Sequence, residues 1–455
     1  MLNQDFAAGP ATRRAFLTTA VTAASYQRIL GANDRIQIGF IGYGLIGKRH
    51  VTDFKTMQDV DCAALCDVYK PRLDAGLAHC GPQAKGYGDF RKMLDNKDLQ
   101  GIVAGTPDHW HTLHAVLACA AGKDVYVEKP LTRFVREGRW IVNAASKYRR
   151  VVTVGTQRKH SPEVQAGRDR VSSGLLGKVH TVRAAAVRNI YPGFGKTPAT
   201  DPPPGFDYDM WLGPAPKTPY TRHRSLYHFR WFWDYSGGQM TNLAAHDINK
   251  VHYVMGANAP TQVYSGGGRY ALDDDCETPD LQDTVFTYPG FTMLYSIREA
   301  NARPDITGIR FLGTKGDIIL SEGGYEVISE MKGDPINQIP GWSGHPPGGP
   351  VGSNTQPTPW IAAAKDRPKT DDVMLVNKRN WLDCIRTRKQ PFADAEDGHR
   401  VATACHLANI SLRLGRMLRW DPVKEDIIGD REASNMLVRP YRKPWDDVLA
   451  SLKLT

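Results

Sequence analysis

The chain has no run approaching the roughly 20 apolar residues that carry a helix across a bilayer, so no membrane span is expected. Cysteine is scarce and unpatterned. There are seven in 455 residues, with no CxxC pair and no Cys/His set at zinc spacing, so no metal is expected. Cys62 and Cys66 flank a predicted strand, while Cys119, Cys384 and Cys405 fall in apolar helical patterns, as buried thiols acting as small hydrophobes do. A dense basic block is also missing. The net charge of +10 would suit an acidic polymer, but it is dispersed, and the tightest group (Lys147, Arg149, Arg150) closes a predicted helix where cations complement the dipole. No nucleic-acid partner is expected, and there is no internal repeat.

What is present is length and alternating pattern. A chain of 455 residues exceeds what one core usually supports, so two domains are expected. Residues 1–33 are set apart as a leader. Thr12-Arg13-Arg14-Ala15-Phe16-Leu17, followed by a weakly apolar stretch to Ser25, reads as a twin-arginine export signal. Such an address implies the periplasm or cell envelope. Cargo on that route crosses folded, already loaded with any cofactor.

Residues 34–157 read as a doubly wound parallel sheet of the Rossmann kind, an α/β fold. Arg35 to Gly42 is a β-branched run that ends in a glycine turn, and a helical stretch follows to Met57. Further runs at Asp61 to Val68, Gly101 to Thr106, Asp124 to Val127 and Val151 to Gly155 alternate with helix-length segments, including 111–121 and 134–148. After about residue 160 strands follow one another through turns. Lys178 to Val187, Thr284 to Glu299 and Gly308 to Leu320 belong to this part, with a hairpin at Pro289-Gly290. Residues 158–455 therefore read as an α+β domain with a largely antiparallel open sheet. Gly323 to Asp371 reads as a long Pro/Gly-rich excursion, and helices are expected at 374–388 and 397–418.

The glycine turn is Gly42-Tyr43-Gly44-Leu45-Ile46-Gly47. Its first glycine permits the tight turn and its second lets the backbone approach a pyrophosphate. The third lets helix and strand pack closely, leaving the helix N-terminus to bind phosphate. Asp67, twenty positions on, is placed to accept hydrogen bonds from the adenosine ribose and to repel a 2′-phosphate, which favours NAD over NADP. Lys70 and Arg72 temper that preference.

Two further strands end in Thr106-Pro107-Asp108-His109-Trp110-His111 and Glu128-Lys129-Pro130, at the carboxyl edge where ligands sit in such sheets. Lys129 can donate to a substrate hydroxyl and stabilise a developing alkoxide. Gly237-Gly238 precedes a helical pattern with Ala244, Ile248, Val251 and Met255 on its buried face. Asn242, His246, Asn249 and Tyr253 lie opposite. A solvent-facing helix would show the same stripe, yet His246 has the chemistry of a general base. The aromatic segment Tyr227 to Tyr235 either stacks on a sugar or packs the sheet, with packing favoured. Arg230, Trp233 and Asp234 within it, together with Arg158, are the candidate substrate contacts.

Together these residues resemble the glucose-fructose oxidoreductase, inositol dehydrogenase and rhizopine-catabolism group, Gfo/Idh/MocA. The resemblance runs through Gly42 to Gly47, Thr106-Pro107 with His111, Glu128-Lys129-Pro130, Gly155-Thr156-Gln157, Gly237-Gly238 with His246, and Phe311 to Gly316. It implies that Lys129 and His246 are catalytic and that Thr106, Pro107, His111, Glu128, Lys129, Pro130 and Gln157 border the cofactor. It also implies pairing of chains through the second-domain sheet. The family commonly carries aspartate four residues before the histidine. Here Asn242 stands there, and an amide can orient the imidazole without charging it. The expected activity is NAD(P)-dependent hydride transfer at a hydroxyl of a sugar, polyol or glycoside. Two alternatives stay open: a redox-neutral glycoside hydrolase or lyase that keeps its NAD, and a non-catalytic NAD and sugar binder.

Overall fold

The computed structural model describes residues 35–301, 303, 307–332, 358–369 and 371–454. The leader expected at 1–33 lies outside them. Six strands form the first sheet: β1 (Ile36–Ile41), β2 (Val60–Cys66), β3 (Lys85–Tyr87), β4 (Gly101–Ala104), β5 (Asp124–Val127) and β6 (Val152–Val154). All neighbours are parallel, in the order β3-β2-β1-β4-β5-β6. The connections carry α1 (Leu45–Lys55), α2 (Lys70–Cys80), α3 (Phe90–Leu94), α4 (Asp108–Ala120) and α5 (Val135–Lys147). Every residue of β4 and β5 is buried, as strands covered on both faces require. Because the order reverses between β1 and β4, a crevice opens at their carboxyl ends.

Beyond β6 come a 3₁₀ turn (Gln157–His160), α6 (Pro162–Ser172) and β7 (Val179–Val187), followed by α7 (Tyr208–Leu212), α8 (Gly238–Asn242) and α9 (Ala244–Met255). The second sheet is built on β7, β8 (Gln262–Gly268), β9 (Leu281–Tyr288), β10 (Phe291–Arg298), β11 (Ile309–Gly313), β12 (Gly316–Ser321) and β13 (Gly324–Ser329). It has ten strands and is antiparallel except where β10 runs parallel to β7. The β9–β10 hairpin turns at Pro289-Gly290, and Gly290 has φ +93°. Along β10, Met293, Tyr295 and Ile297 are buried while Leu294 faces out. Onto the inner face pack α9, through Ala244, Ile248 and Val251, and the long helix Ala395–Leu414, through Val401, Cys405 and Ala408.

Two expectations change here. Gly323 to Asp371 is not irregular throughout: β13 pairs with the strand Ala364–Asp366, because Tyr325 and Val327 belong to the core. Residues 333–357 of that stretch lie outside the described ones. The chain also returns to the first sheet near its end. Trp381, on the helix Val373–Thr387, is fully buried against Phe54 and Tyr126, and Trp445 lies edge-on to Trp110 at 4.8 Å. A side chain at Gly101 would meet Trp381 at 2.9 Å. Among the described residues no helix is long and apolar enough to cross a membrane.

Candidate active site

The glycine turn joins β1 to α1. Gly42 has φ +87°, and a Cβ on Gly47 would fall 2.0 Å from the Gly42 carbonyl oxygen, so both positions require glycine for the backbone alone. Gly44 differs. A Cβ there meets nothing nearer than Arg72 at 3.6 Å, so its absence leaves room for something outside the chain. Gly44 caps α1 without any side-chain hydrogen bond, and the first-turn amides stay open to an anion. Asp67, buried at the end of β2, accepts the N–H groups of Tyr43 (2.7 Å) and Tyr69 (2.9 Å). Burial raises its carboxyl above the ordinary value, against those hydrogen bonds and the Arg72 charge. A single cleft is lined by Gly42, Gly44, Asp67, Thr106, Pro107 and Arg230. Of these, the glycine turn, Asp67, Thr106 and Pro107 fit a dinucleotide.

Several residues expected to border the cofactor hold its walls instead. His111 has both ring nitrogens against backbone carbonyls, Pro130 at 2.8 Å and Thr106 at 2.9 Å, and so fastens the ends of β4 and β5 together. Glu128 turns into the domain. Its Oε1 lies 3.1 Å from the buried His50 on α1, its Oε2 accepts the Lys129 N–H, and Gly155 leaves the space it fills. Burial raises this carboxyl, but the His50 hydrogen bond and the Lys129 charge outweigh burial and hold it below its usual value. Gln157 stands at the head of the 3₁₀ turn with a buried Oε1 that has no partner among the described residues.

Lys129 precedes a cis proline, at the carboxyl end of β5. Its Nζ donates to both the backbone oxygen and Oδ1 of Asn242, each at 2.8 Å. Asn242 Nδ2 donates to Gln239 Oε1 at 3.0 Å, and Gln239 Nε2 donates to Glu299 Oε1 at 2.9 Å. Glu299 also receives Arg188 and the indole of Trp231. The run is directional, from an ammonium through two amides to a carboxylate. Asn242 is therefore committed to Lys129 and Gln239, and the expected orientation of the imidazole by its amide is not what the structure shows. Burial, aided by Arg230 and Arg158 and opposed by Glu128 and Asp108, lowers the Lys129 pKa to about 8.

His246 starts a separate helix, because α8 ends at Asn242 and α9 begins at Ala244. The ring is buried, its Nδ1 has no partner among the described residues, and burial beside Lys129, Arg158 and Lys250 holds its pKa well below 6.5. The rest of the polar stripe is structural. Asn249 donates to Asp397 at 2.8 Å and Tyr253 to Gln165 at 2.6 Å, so this face meets protein rather than solvent.

The aromatic segment mostly packs: Phe229, Trp231, Phe232 and Tyr235 share a core with Phe206, Trp211 and Tyr220. Trp233 lies beneath Arg413, donates its backbone N–H to Glu277 and accepts Arg133 at its carbonyl. Asp234 pairs with Arg439 at 3.1 Å and with Arg224 at 3.6 Å. Both are held by these protein partners, and so leave the set of substrate contacts. Arg230 stays in it, and Arg158 stands exposed beyond β6. Sequence reasoning missed Trp110 and His114, which stack at 4.7 Å and line the cleft. Their i, i+4 spacing on α4 was the available signal. Among the described residues no group of three or more His, Cys, Asp or Glu could hold a metal ion.

Comparison with known proteins places this geometry. Residues 36–156 match the model of the oxidoreductase family's NAD-binding Rossmann fold, and residues 161–284 and 368–447 match that of the family's C-terminal alpha/beta domain. An inositol 2-dehydrogenase of Klebsiella pneumoniae (strain 342) is 32% identical over 152 residues, covering 33% of this chain and 45% of the relative. A glycosyl hydrolase family 109 protein of Shewanella sp. (strain W3-18-1) is 28% identical over 165 residues, 34% of this chain and 36% of that one. The chain thus aligns with less than half the length of these relatives. An oxidoreductase domain protein from Kribbella flavida superposes with TM-score 0.64 at 18% identity, over 85% of this chain and 99% of that one. A levoglucosan dehydrogenase in complex with NADH and levoglucosan superposes with TM-score 0.63 at 16% identity, over the same shares. Both solved structures share the fold. With both halves matched in order, the chain belongs to the Gfo/Idh/MocA oxidoreductase family and carries its NAD-binding Rossmann domain.

Proposed function

We propose that this protein is an NAD-dependent oxidoreductase acting on a hydroxyl of a sugar or polyol, with Lys129 and His246 as the groups that manage the proton. The observation that carries the reading is the position of Lys129. It stands at the carboxyl edge of the parallel sheet, beyond β5 and beside the switch-point strand β4, with its ammonium held by Asn242 and close enough to the buried imidazole to act on it. When bound, the nicotinamide supplies an acceptor for the hydride of the carbinol carbon. Lys129 in its charged form donates a hydrogen bond to the hydroxyl oxygen and stabilises negative charge as it develops there. His246, neutral at pH 7, accepts the hydroxyl proton. Gln157, whose Oε1 meets no donor among the described residues, can accept a hydrogen bond from an amide or hydroxyl of the ligand.

A second reading is supported by the glycosyl hydrolase family 109 relative. The same hydroxyl oxidation acidifies the neighbouring C–H, and elimination and water addition precede return of the hydride. One experiment separates the two. Purified protein is denatured, the released dinucleotide is weighed, and a panel of polyols, sugars and aryl glycosides is offered with and without added NAD. Absorbance at 340 nm that rises with NAD supports the first reading. Glycoside cleavage without added NAD supports the second. Protein that neither retains nor takes up a nicotinamide nucleotide defeats both.

Arg13-Arg14 with the following apolar stretch suggests export in the folded state to the periplasm or cell envelope. Fractionation of cells expressing the Arg13→Lys, Arg14→Lys variant tests it. The outer sheet face exposes Tyr264, Val285 and Leu294, which suits pairing with a second copy. Light scattering of Leu294→Glu, against the native chain, tests that.

A further inference from the structure

The charges around Lys129 do not balance. β5 and β6 are parallel neighbours with Val127 opposite Val154; Lys129 stands two residues beyond the end of β5, and Arg158 four residues beyond the end of β6, in the 3₁₀ turn Gln157–His160. Arg230 enters from the opposite wall, lining the cleft beside Thr106 and Pro107. Among the described residues its side chain donates only to the Tyr227 carbonyl, and it stacks on Tyr227 and Phe229. Among the described residues neither Arg158 nor Arg230 makes an ion pair, and Arg158 makes no side-chain hydrogen bond.

The acids nearby are already engaged. Asp108 accepts Ser236. Glu128 holds His50, Asp247 accepts Lys250 and the Tyr295 hydroxyl, and Asp397 takes Lys159 and Asn249. Asp234, four residues from Arg230 and the obvious partner, turns to Arg439. His246 adds no negative charge. Two guanidiniums thus stand close enough to the Lys129 ammonium for their charges to act on it, each with donors to spare. A neutral sugar gains nothing from that excess. A ligand with a carboxylate or phosphate supplies the missing charge, and arginine's planar fork takes either group bidentately.

We infer that the natural substrate is an anionic carbohydrate, a sugar acid or sugar phosphate, whose charged group is held by Arg158 and Arg230 while its reacting hydroxyl meets Lys129. This rests on the reading of Lys129 and His246 as the reacting pair, but binding tests it apart from turnover.

The test uses the NAD-loaded full chain and matched ligands: D-glucose, D-glucuronate and D-glucose 6-phosphate, and the galactose series alongside. Calorimetry gives affinity and absorbance at 340 nm gives kcat/KM. One charged member of a series should bind about 10- to 100-fold more tightly than its neutral parent, the strength of one charge-assisted contact. The better member tells carboxylate from phosphate. Arg158→Met and Arg230→Met should each pull that ratio towards one, with NAD affinity unchanged. Equal or stronger binding of the neutral sugars in both series overturns the inference. So does a variant that weakens NAD and leaves the ratio intact, because the cation then serves the cofactor. Charge preference without turnover on any ligand upholds the anion site and counts against the dehydrogenase reading. Turnover of neutral sugars alone does the reverse.

Discussion

Asn242→Asp is the most informative single change, because it puts a carboxylate where the Lys129 ammonium now meets an amide oxygen at 2.8 Å. A full negative charge at that distance raises a lysine pKa by about 1–3 units. Starting from about 8, the ammonium should then titrate near 10. The relay behind it suffers. Gln239 uses Oε1 to accept Asn242 and Nε2 to serve Glu299. With carboxylates on both sides one amide oxygen must face a carboxylate, which costs about 1–3 kcal/mol as an unmade buried hydrogen bond. The variant should therefore be less stable and carry a more basic lysine. ¹³C-methylation of the lysines, with the Lys129 signal assigned by its loss in Lys129→Met, follows the titration directly by NMR and needs no substrate. With substrate, the falling limb of kcat/KM should move from near pH 8 upwards by the same interval. A Lys129 signal that stays within half a unit of the native one, or moves down, refutes the account of Asn242 as the partner of Lys129.

Gly44→Ala should leave melting temperature nearly unchanged and weaken NAD by about tenfold or more, because its Cβ meets only Arg72 at 3.6 Å in the free chain. Gly47→Ala, whose Cβ would strike the Gly42 carbonyl at 2.0 Å, should lower stability itself. Thermal melts and NAD titration of both variants check this pair. The unfolded Lys129 binds its proton up to pH 10.5 while the folded one releases it near 8. Native stability should therefore rise between those values by about 3 kcal/mol relative to Lys129→Met, as denaturant melts at pH 7 and 10 will measure. Asp234→Ala, removing the partner of Arg439 and Arg224, should cost about 1–2 kcal/mol of stability and leave KM for substrate unchanged. A rise in KM with no loss of stability would return Asp234 to the cleft.

Legibility in the sequence followed distance along the chain. The glycine turn, the helix after it and Asp67 could be read in advance because their constraint is local: Gly42 needs a left-handed φ, Gly47 must touch Gly42, and Asp67 holds the amide of Tyr43 across 24 positions. The hairpin at Pro289-Gly290 was visible for the same reason. Asn242 was placed by its motif but misread in its role, since its partner Lys129 stands 113 positions away and helical periodicity says nothing of such a contact. The break between α8 and α9 compounds this, because the pair Asn242 and His246 reads as one helical face only if the helix is continuous. Trp233 and Asp234 misled in another way. Aromatic and charged residues beside a catalytic helix look like ligand contacts, and only Arg413, Arg439 and Arg133, from the far end of the chain and from the other domain, show that they serve packing. Charge balance in the cleft is the extreme case. Whether an arginine is spare depends on every acid that could have met it, and for Arg230 that meant learning that Asp234, its nearest acid in sequence, had turned elsewhere. The motif fixes where a reactive group stands, but its protonation and its appetite for a ligand are set by partners that the chain brings in from elsewhere.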